Sequence, residues 1–177
     1  MEKKTKKKYI IGILWRVYDT VRWLVIIAAL LLIILFLCGI RPYIVRSGSM
    51  EPAITTGSIC FVNHNAEYAD VKNGDIITFK FGADDVATHR AVSVGNEGIH
   101  TKGDANENED AVIVTEELFV GKTIWHIPEV GYLITVLRSR NGLIMTVAFI
   151  VFFLLIGRLL ESLRDNAEKE SESKKNE

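Results

Sequence analysis

Cysteine is scarce in this sequence, which contains only Cys38 and Cys60. Cys38 falls inside a long apolar run, whereas Cys60 falls in a stretch typical of a β-strand. Two thiols in such different settings argue against a disulfide bond and against a cysteine-based metal site. The histidines show no close ligand pairing such as helical i, i+4 spacing, so we expect no zinc site and no cofactor. They are His64, His89, His100 and His126.

Net charge is also small, because 21 basic and 22 acidic side chains leave −1 at pH 7. This balance gives no indication of a nucleic-acid partner. Apolar residues, in contrast, make up 49% of the chain, and the mean hydropathy is +0.20. Both values are high for a chain with 24% charged residues, so the apolar residues must be segregated into particular segments.

The first such segment is an uncharged run over residues 23–40, preceded by a basic segment over residues 1–22. As a helix, the run would be about 27 Å long, close to the hydrocarbon thickness of a bilayer. It is therefore predicted to be a transmembrane helix, with the basic segment in the cytoplasm and Arg41 on the outer side. A cleaved signal peptide is the alternative, but the run exceeds a usual apolar core and lacks a closing small-x-small site.

A second uncharged run begins at Gly142, and Arg158 can snorkel and extend it, which predicts a second transmembrane helix over residues 142–160. The alternative is a buried C-terminal helix, which would need a larger soluble core. The charged tail over residues 161–177 is expected to be disordered and cytoplasmic. The chain would thus cross the cell membrane twice, with residues 41–141 on the extracytoplasmic side.

Residues 41–141 contain short β-like runs separated by turn residues, which predicts a mainly β domain between the two membrane helices. The turns include Asn73-Gly74-Asp75 and Gly95-Asn96-Glu97-Gly98. The predicted strands are Ser58–Asn63, Asp75–Phe81, Val86–Val94, Ile99–Lys102 and Phe119–Ile127.

Ser49 is the candidate nucleophile, in a turn over residues 47–52 that is made tight by Gly48 and stiff by Pro52. A nucleophilic serine needs a base, and His89 is the best-placed histidine because alternation puts it on a strand face with two alanines. The alternatives are an ordinary surface turn and a half-exposed strand histidine.

Three blocks in order resemble type I signal peptidases of the endoplasmic-reticulum type, which archaea and some Gram-positive bacteria also carry. They are SGSMEP at 47–52, ATHRAV at 87–92 and TKGDANENED at 101–110, with NGDIITF at 73–79 between them. The resemblance implies a membrane-bound serine endopeptidase that removes signal peptides from preproteins after small residues.

The resemblance also implies roles for individual residues. Ser49 would be the nucleophile, His89 the general base and Asp110 the acid that orients it. Asp104 would be a nearby structural acid, and Ser47 would help to form the oxyanion hole. Preproteins and the lipid bilayer are the expected partners, and the presence of accessory membrane subunits is left open.

The two acids have different local settings in the sequence. Asp104 lies in a turn, where a short carboxylate usually bonds neighbouring backbone N–H groups. Asp110 directly precedes the apolar residues 111–114, so a strand beginning there could hold its carboxylate beside His89. Glu107 and Glu109 leave the register of this acidic loop open.

Two other functions remain open from the sequence. One is a non-enzymatic, membrane-anchored β-rich module for adhesion or assembly. The other is a self-cleaving serine peptidase, which would normally lack two membrane spans and use a lysine base. The short connection from Arg41 to Ser49 favours the signal peptidase over these two alternatives. An extended chain of this length keeps the serine within roughly 26–29 Å of the membrane edge, where the cleavage site of a membrane-embedded substrate would lie.

Overall fold

A computed structural model describes residues 2–82 and 85–173 of the chain. Its elements, in chain order, are helix α1 (Glu2–Leu37), strands β1 (Ile40–Ile44) and β2 (Ile59–Asn63), a 3-10 turn (Tyr68–Asp70), strands β3 (Ile76–Lys80), β4 (Val86–Gly95), β5 (Gly98–Lys102) and β6 (Phe119–Ile127), and helices α2 (Val130–Arg138) and α3 (Arg140–Ser173). They divide into two compact units, one comprising Met1–Leu32 with Leu137–Glu177 and the other Ile33–Val136.

The second unit is built on one antiparallel sheet with the strand order β1-β2-β6-β3-β4-β5. The five strands predicted from the sequence are present within a residue or two of their expected ends. Two elements in this region were not predicted. Strand β1 contains Pro42 and pairs along one edge with β2, and α2 is a short helix whose Gly131 N–H donates to the Gly57 carbonyl at 2.8 Å.

Two clusters of buried side chains form the core of this unit. One surrounds Phe79 and Ile99, and its buried members are Val71, Ile77, Phe79, Ala91, Ile99 and Val114. The other surrounds Met50 and Val62, and its buried members are Met50, Ile54, Cys60 and Val62. Burial raises the pKa of the Cys60 thiol to about 11, so this cysteine stays protonated and acts as a small apolar residue.

The first unit contains most of α1 together with α3, and each of these helices is long and apolar enough to cross a membrane. Their apolar side chains are largely exposed, as expected for helices surrounded by lipid. Within this unit the Tyr18 ring lies 4.7 Å from the Phe153 ring, and the Arg164 guanidinium lies 4.6 Å above the Trp15 ring.

The C-terminal ends of α1 and α3 differ from the ends predicted from the sequence. Helix α1 ends at Leu37 and not at Ile40, because Gly39 adopts a positive φ of 76° and the chain turns into β1. Helix α3 continues through Ser173, so the expectation of a disordered tail from Glu161 is wrong for the part that the structure describes. Helix-favouring residues and the i, i+4 pair of Arg164 with Glu168 favour this extension. Residues 174–177 lie outside the described part.

Asp75 lies in the turn before β3, and its side chain bonds Lys122 of β6. Its Oδ2 atom accepts hydrogen bonds from Lys122 Nζ at 2.6 Å and from the Lys72 backbone N–H at 2.9 Å. Burial alone would raise the pKa of this carboxyl, but the two hydrogen bonds and the lysine charges outweigh burial and hold the pKa below its ordinary value of 3.8. The ionised form is therefore favoured by folding.

This linkage makes a prediction for Asp75→Asn. A carboxyl whose pKa is lowered by folding stabilises the protein above about pH 4, and the contribution is lost as pH falls through the folded-state pKa. Thermal unfolding at pH 7 should show the variant less stable by about 1 kcal/mol, or roughly 4–8 °C, with the gap narrowing as the pH falls progressively below 3.8. The exposed Asp70→Asn is the control and should melt like the wild type at pH 7. A gap that widens as the pH falls below 3.8 would contradict the linkage.

Candidate active site

The turn that carries Ser49 is fixed by the residue that follows it. Met50 is buried in the second core cluster, and its carbonyl accepts a hydrogen bond from the Ile54 N–H at 2.8 Å. The Gly48 carbonyl accepts one from the Glu51 N–H at 3.0 Å, which closes the turn. Anchoring Met50 in the core leaves the neighbouring Ser49 side chain half-buried at the surface of the domain.

His89 lies in β4, where it pairs with Ile77 of β3. Its ring packs edge-on against the buried Phe79 ring at a centroid distance of 6.1 Å. Ala87 and Ala91, two positions away on either side, share a strand face with His89, as alternation predicted. Ala91 is buried in the first core cluster and Ala87 packs against this cluster, which was not predicted. The His89 Nε2 atom lies 2.9 Å from Ser49 Oγ, so the structure brings together the predicted nucleophile and the predicted base.

The opposite ring nitrogen of His89 contacts Asp110. Asp110 Oδ2 lies 2.6 Å from His89 Nδ1, and both side chains are only 12% exposed. An ionised carboxylate can only accept hydrogen bonds, so beside an ionised Asp110 a neutral ring carries its proton on Nδ1 and leaves Nε2 to accept the proton of Ser49. The three side chains thus form a continuous Ser–His–Asp hydrogen-bond chain.

Asp110 reaches this position without the strand expected after it. The apolar residues 111–114 form only an isolated bridge between Val114 and Ile99, so the predicted strand there is wrong. Instead, the Asp110 N–H donates to the Thr101 carbonyl at 2.8 Å, and the Thr101 hydroxyl donates to Asp110 Oδ2 at 2.6 Å. The end of β5 therefore takes the place of the missing strand.

The other candidate acid, Asp104, pairs with Arg90. Its two carboxylate oxygens accept hydrogen bonds from Arg90 Nε at 2.8 Å and Nη2 at 2.6 Å. The expected bonding to local backbone N–H groups is thus replaced by a bidentate ion pair. The hydrogen bonds to Asp104 raise the pKa of Arg90, outweighing the opposite effect of burial. Arg90 Nη1 also donates to the Gly74 carbonyl at 2.9 Å, so the pair joins the acidic loop to the turn before β3.

The acidic loop also holds the backbone of Ser49, a contact that sequence reasoning missed. The Ala105 N–H donates to the Ser49 carbonyl at 2.9 Å. A Cβ atom at Gly103 would lie 2.6 Å from the same carbonyl oxygen, so only glycine fits there without displacing the serine turn. Gly103 was the signal in the sequence that a close backbone contact exists at this point of the loop. The sequence did not show that the contact is made with Ser49.

Ser47 lies beside the nucleophile on the exposed side of the turn, with its Oγ atom 3.3 Å from Ser49 Oγ. Either hydroxyl can donate in this contact, and when the Ser49 hydroxyl donates to an unprotonated His89 Nε2 the Ser47 hydroxyl is the donor. A hydroxyl donor next to the serine can turn toward an oxyanion formed there.

Two other histidines of the domain have separate partners. His64 Nε2 lies 3.0 Å from the Tyr43 hydroxyl, and burial together with the Arg41 charge lowers the pKa of His64. His100 Nδ1 lies 3.7 Å from a Glu109 oxygen. Within residues 2–82 and 85–173, no group of three or more histidine, cysteine, aspartate or glutamate side chains could hold a metal ion.

Comparisons with known proteins match this region of the chain. The sequence profile of the family described as "Signal peptidase, peptidase S26" matches residues 17–112, which include every candidate site residue. "Signal peptidase I W" of Bacillus subtilis is 40% identical over 77 residues, covering 41% of this chain and 40% of that protein.

Fungal proteins match over a longer range. "Signal peptidase complex catalytic subunit sec11" of Sclerotinia sclerotiorum is 31% identical over 116 residues, covering 59% of this chain and 67% of that protein. The catalytic subunit of the same name from Ogataea parapolymorpha is 30% identical over 121 residues, covering 55% of this chain and 67% of that protein. The matched region thus spans two fifths of the bacterial relative and about two thirds of the fungal ones.

The Arg90–Asp104 pair makes a prediction about stability. Asp104→Asn removes the charge from a bidentate, partly buried pair, so the free energy of unfolding should fall by about 1–2 kcal/mol after allowance for solvent screening at Arg90. Thermal unfolding of the full chain in detergent measures this, with the exposed Glu107→Gln in the same loop as the control. An Asp104→Asn variant that melts with the wild type would contradict a structural role for the pair.

Proposed function

The chain belongs to the signal peptidase family, peptidase S26, and we propose on this basis that it is a membrane-bound serine endopeptidase that removes N-terminal signal peptides from preproteins. The observation that supports this most directly is the position of the His89 ring. Its Nε2 atom is 2.9 Å from Ser49 Oγ, and its Nδ1 atom is 2.6 Å from Asp110 Oδ2. This is the arrangement that an activated serine nucleophile requires.

In the proposed reaction, Ser49 Oγ attacks the carbonyl carbon of the scissile peptide bond while its proton passes to His89 Nε2. Asp110 accepts the Nδ1–H bond and stabilises the imidazolium that forms. The imidazolium then gives its proton to the leaving amine, the new N-terminus of the mature protein. Water, with His89 again as base, hydrolyses the acyl-enzyme and releases the signal peptide with a free carboxylate.

The tetrahedral intermediate carries a negative oxygen that needs donors. We propose the Ser49 backbone N–H and the Ser47 hydroxyl for this role, because the first belongs to the nucleophile itself and the second lies 3.3 Å from the reacting oxygen. Donors fixed before the reaction stabilise the charge that develops in the transition state.

The two long apolar helices support membrane anchoring of the domain. We propose that both cross the cell membrane, that the N- and C-terminal charged segments face the cytoplasm, and that the sheet lies on the extracytoplasmic side, following the bias of basic residues. The turn that carries Ser49 follows α1 after only one short strand. A preprotein still held in the bilayer by its apolar signal segment would present its cleavage site at this level.

The test is cleavage of a preprotein by the purified full-length protein in detergent or liposomes. We expect cleavage after a small-x-small site, lost by roughly 10⁴-fold or more in both Ser49→Ala and His89→Ala, because residues that act as one unit lose activity together. Ser93→Ala, a change of an exposed serine on β4, is the matched control and should keep full activity. Cleavage of the chain itself would favour a self-cleaving peptidase, and intact preprotein after wild-type incubation would favour a non-enzymatic module.

A second test separates the two acids. Asp110→Asn should lower turnover by roughly 10³–10⁴-fold with little change in melting temperature, because a neutral amide neither favours the Nδ1–H tautomer nor stabilises the imidazolium. Asp104→Asn should keep much more turnover, measured at a temperature where the variant is folded. A stable, inactive Asp104→Asn beside an active Asp110→Asn would reverse the assignment.

A further inference from the structure

Thr101 is a fully buried polar side chain that the reaction described above does not use. It lies in β5, and its exposed fraction is 0%. Its hydroxyl donates to Asp110 Oδ2 at 2.6 Å, and its carbonyl accepts the Asp110 N–H at 2.8 Å. Thr101 therefore holds both the backbone and the side-chain carboxylate of Asp110.

The register of the sheet explains why the hydroxyl reaches this carboxylate. Thr101 is directly opposite Ala91 across the β4–β5 pair. His89 is two positions from Ala91 in β4, so His89, Ala91 and Thr101 share one face of the sheet, and Thr101 is the diagonal neighbour of His89. A hydroxyl in this position and the imidazole can approach the same carboxylate from two sides.

The two side chains meet at a single atom of Asp110. Oδ2 accepts both the bond from His89 Nδ1, at 2.6 Å, and the bond from Thr101 Oγ1, at 2.6 Å. A carboxylate bonded only to the imidazole could rotate about its terminal torsion, which is soft in aspartate. The second bond removes this freedom.

We propose that Thr101 is a positioning residue for this active site, which fixes the Asp110 carboxylate so that one oxygen faces His89 Nδ1 throughout the reaction. The inference rests on the proposed peptidase function and extends its Ser–His–Asp hydrogen-bond chain by a fourth side chain. Thr101 acts through Asp110 and does not touch the substrate. Its loss should therefore lower the rate of the chemical step and leave substrate binding unchanged.

The test compares Thr101→Val, which keeps the side-chain shape and removes the hydroxyl, with Thr101→Ser, which keeps the hydroxyl. In the preprotein assay, Thr101→Val should lower kcat by about 10–100-fold with KM within about twofold of wild type, as expected for one hydrogen bond to a charged group. Thr101→Ser should recover kcat to within a few-fold of wild type.

Thr78→Val is the matched control. Thr78 is equally buried, lies in β3, and bonds the hydroxyls of Thr88 and Thr123 at 2.9 and 3.4 Å. It should lose stability in the same way as Thr101→Val but keep kcat when assayed below its melting temperature.

Three results would overturn the inference: a Thr101→Val variant with wild-type kcat, a Thr101→Ser variant as slow as Thr101→Val, or a Thr78→Val variant with an equal loss of kcat. Each of these requires that wild type cleaves the preprotein and Ser49→Ala does not. If wild type itself fails to cleave, the proposed function fails instead, so the two failures are distinguishable.

Discussion

The hydrogen bonds on the two sides of the His89 ring are the constraint on which the rest of the domain depends. They require three separate chain segments, the turn at Ser49, strand β4 and the acidic loop ending at Asp110, to be held together within a few tenths of an ångström. Surface loops alone do not provide this precision. Here each segment is anchored to buried structure: Met50 in one core cluster, Ala91 in the other, and Asp110 through Thr101.

The need to hold the acidic loop in place beside His89 also explains the Arg90–Asp104 ion pair. The acidic loop carries several carboxylates close to one another, and a loop of this kind is not held in place by apolar burial. Arg90 neutralises Asp104 with two hydrogen bonds and holds one end of the loop, while Thr101 holds the other end. We propose that Asp104 serves the site by shaping this loop and Asp110 by contacting the imidazole.

The parts of the fold and of the site that are specified by neighbouring residues in the chain could be predicted from the sequence. Alternating apolar residues and turn residues located five strands of the sheet, and small residues around Ser49 and His89 indicated a site. Strand β1 and helix α2 were missed, since Pro42 hides the first and the second is too short for a clear helical period. The partners of Asp104 and Asp110 could not be predicted, because Arg90 and Thr101 approach them through strand pairing and no local pattern specifies that register. The catalytic roles themselves remain proposals.

The contact of the acidic loop with the Ser49 carbonyl has a consequence for exchanging parts between related enzymes. Gly103 and Ala105 meet the serine turn at one end of the loop, and Asp110 meets His89 at the other, so the length of the loop is fixed by two attachment points. A single insertion or deletion between them would displace one contact or the other. In a chimaera, the serine turn and residues 101–110 would therefore have to be transplanted as one block, whereas the exposed turn between β4 and β5 could be exchanged independently.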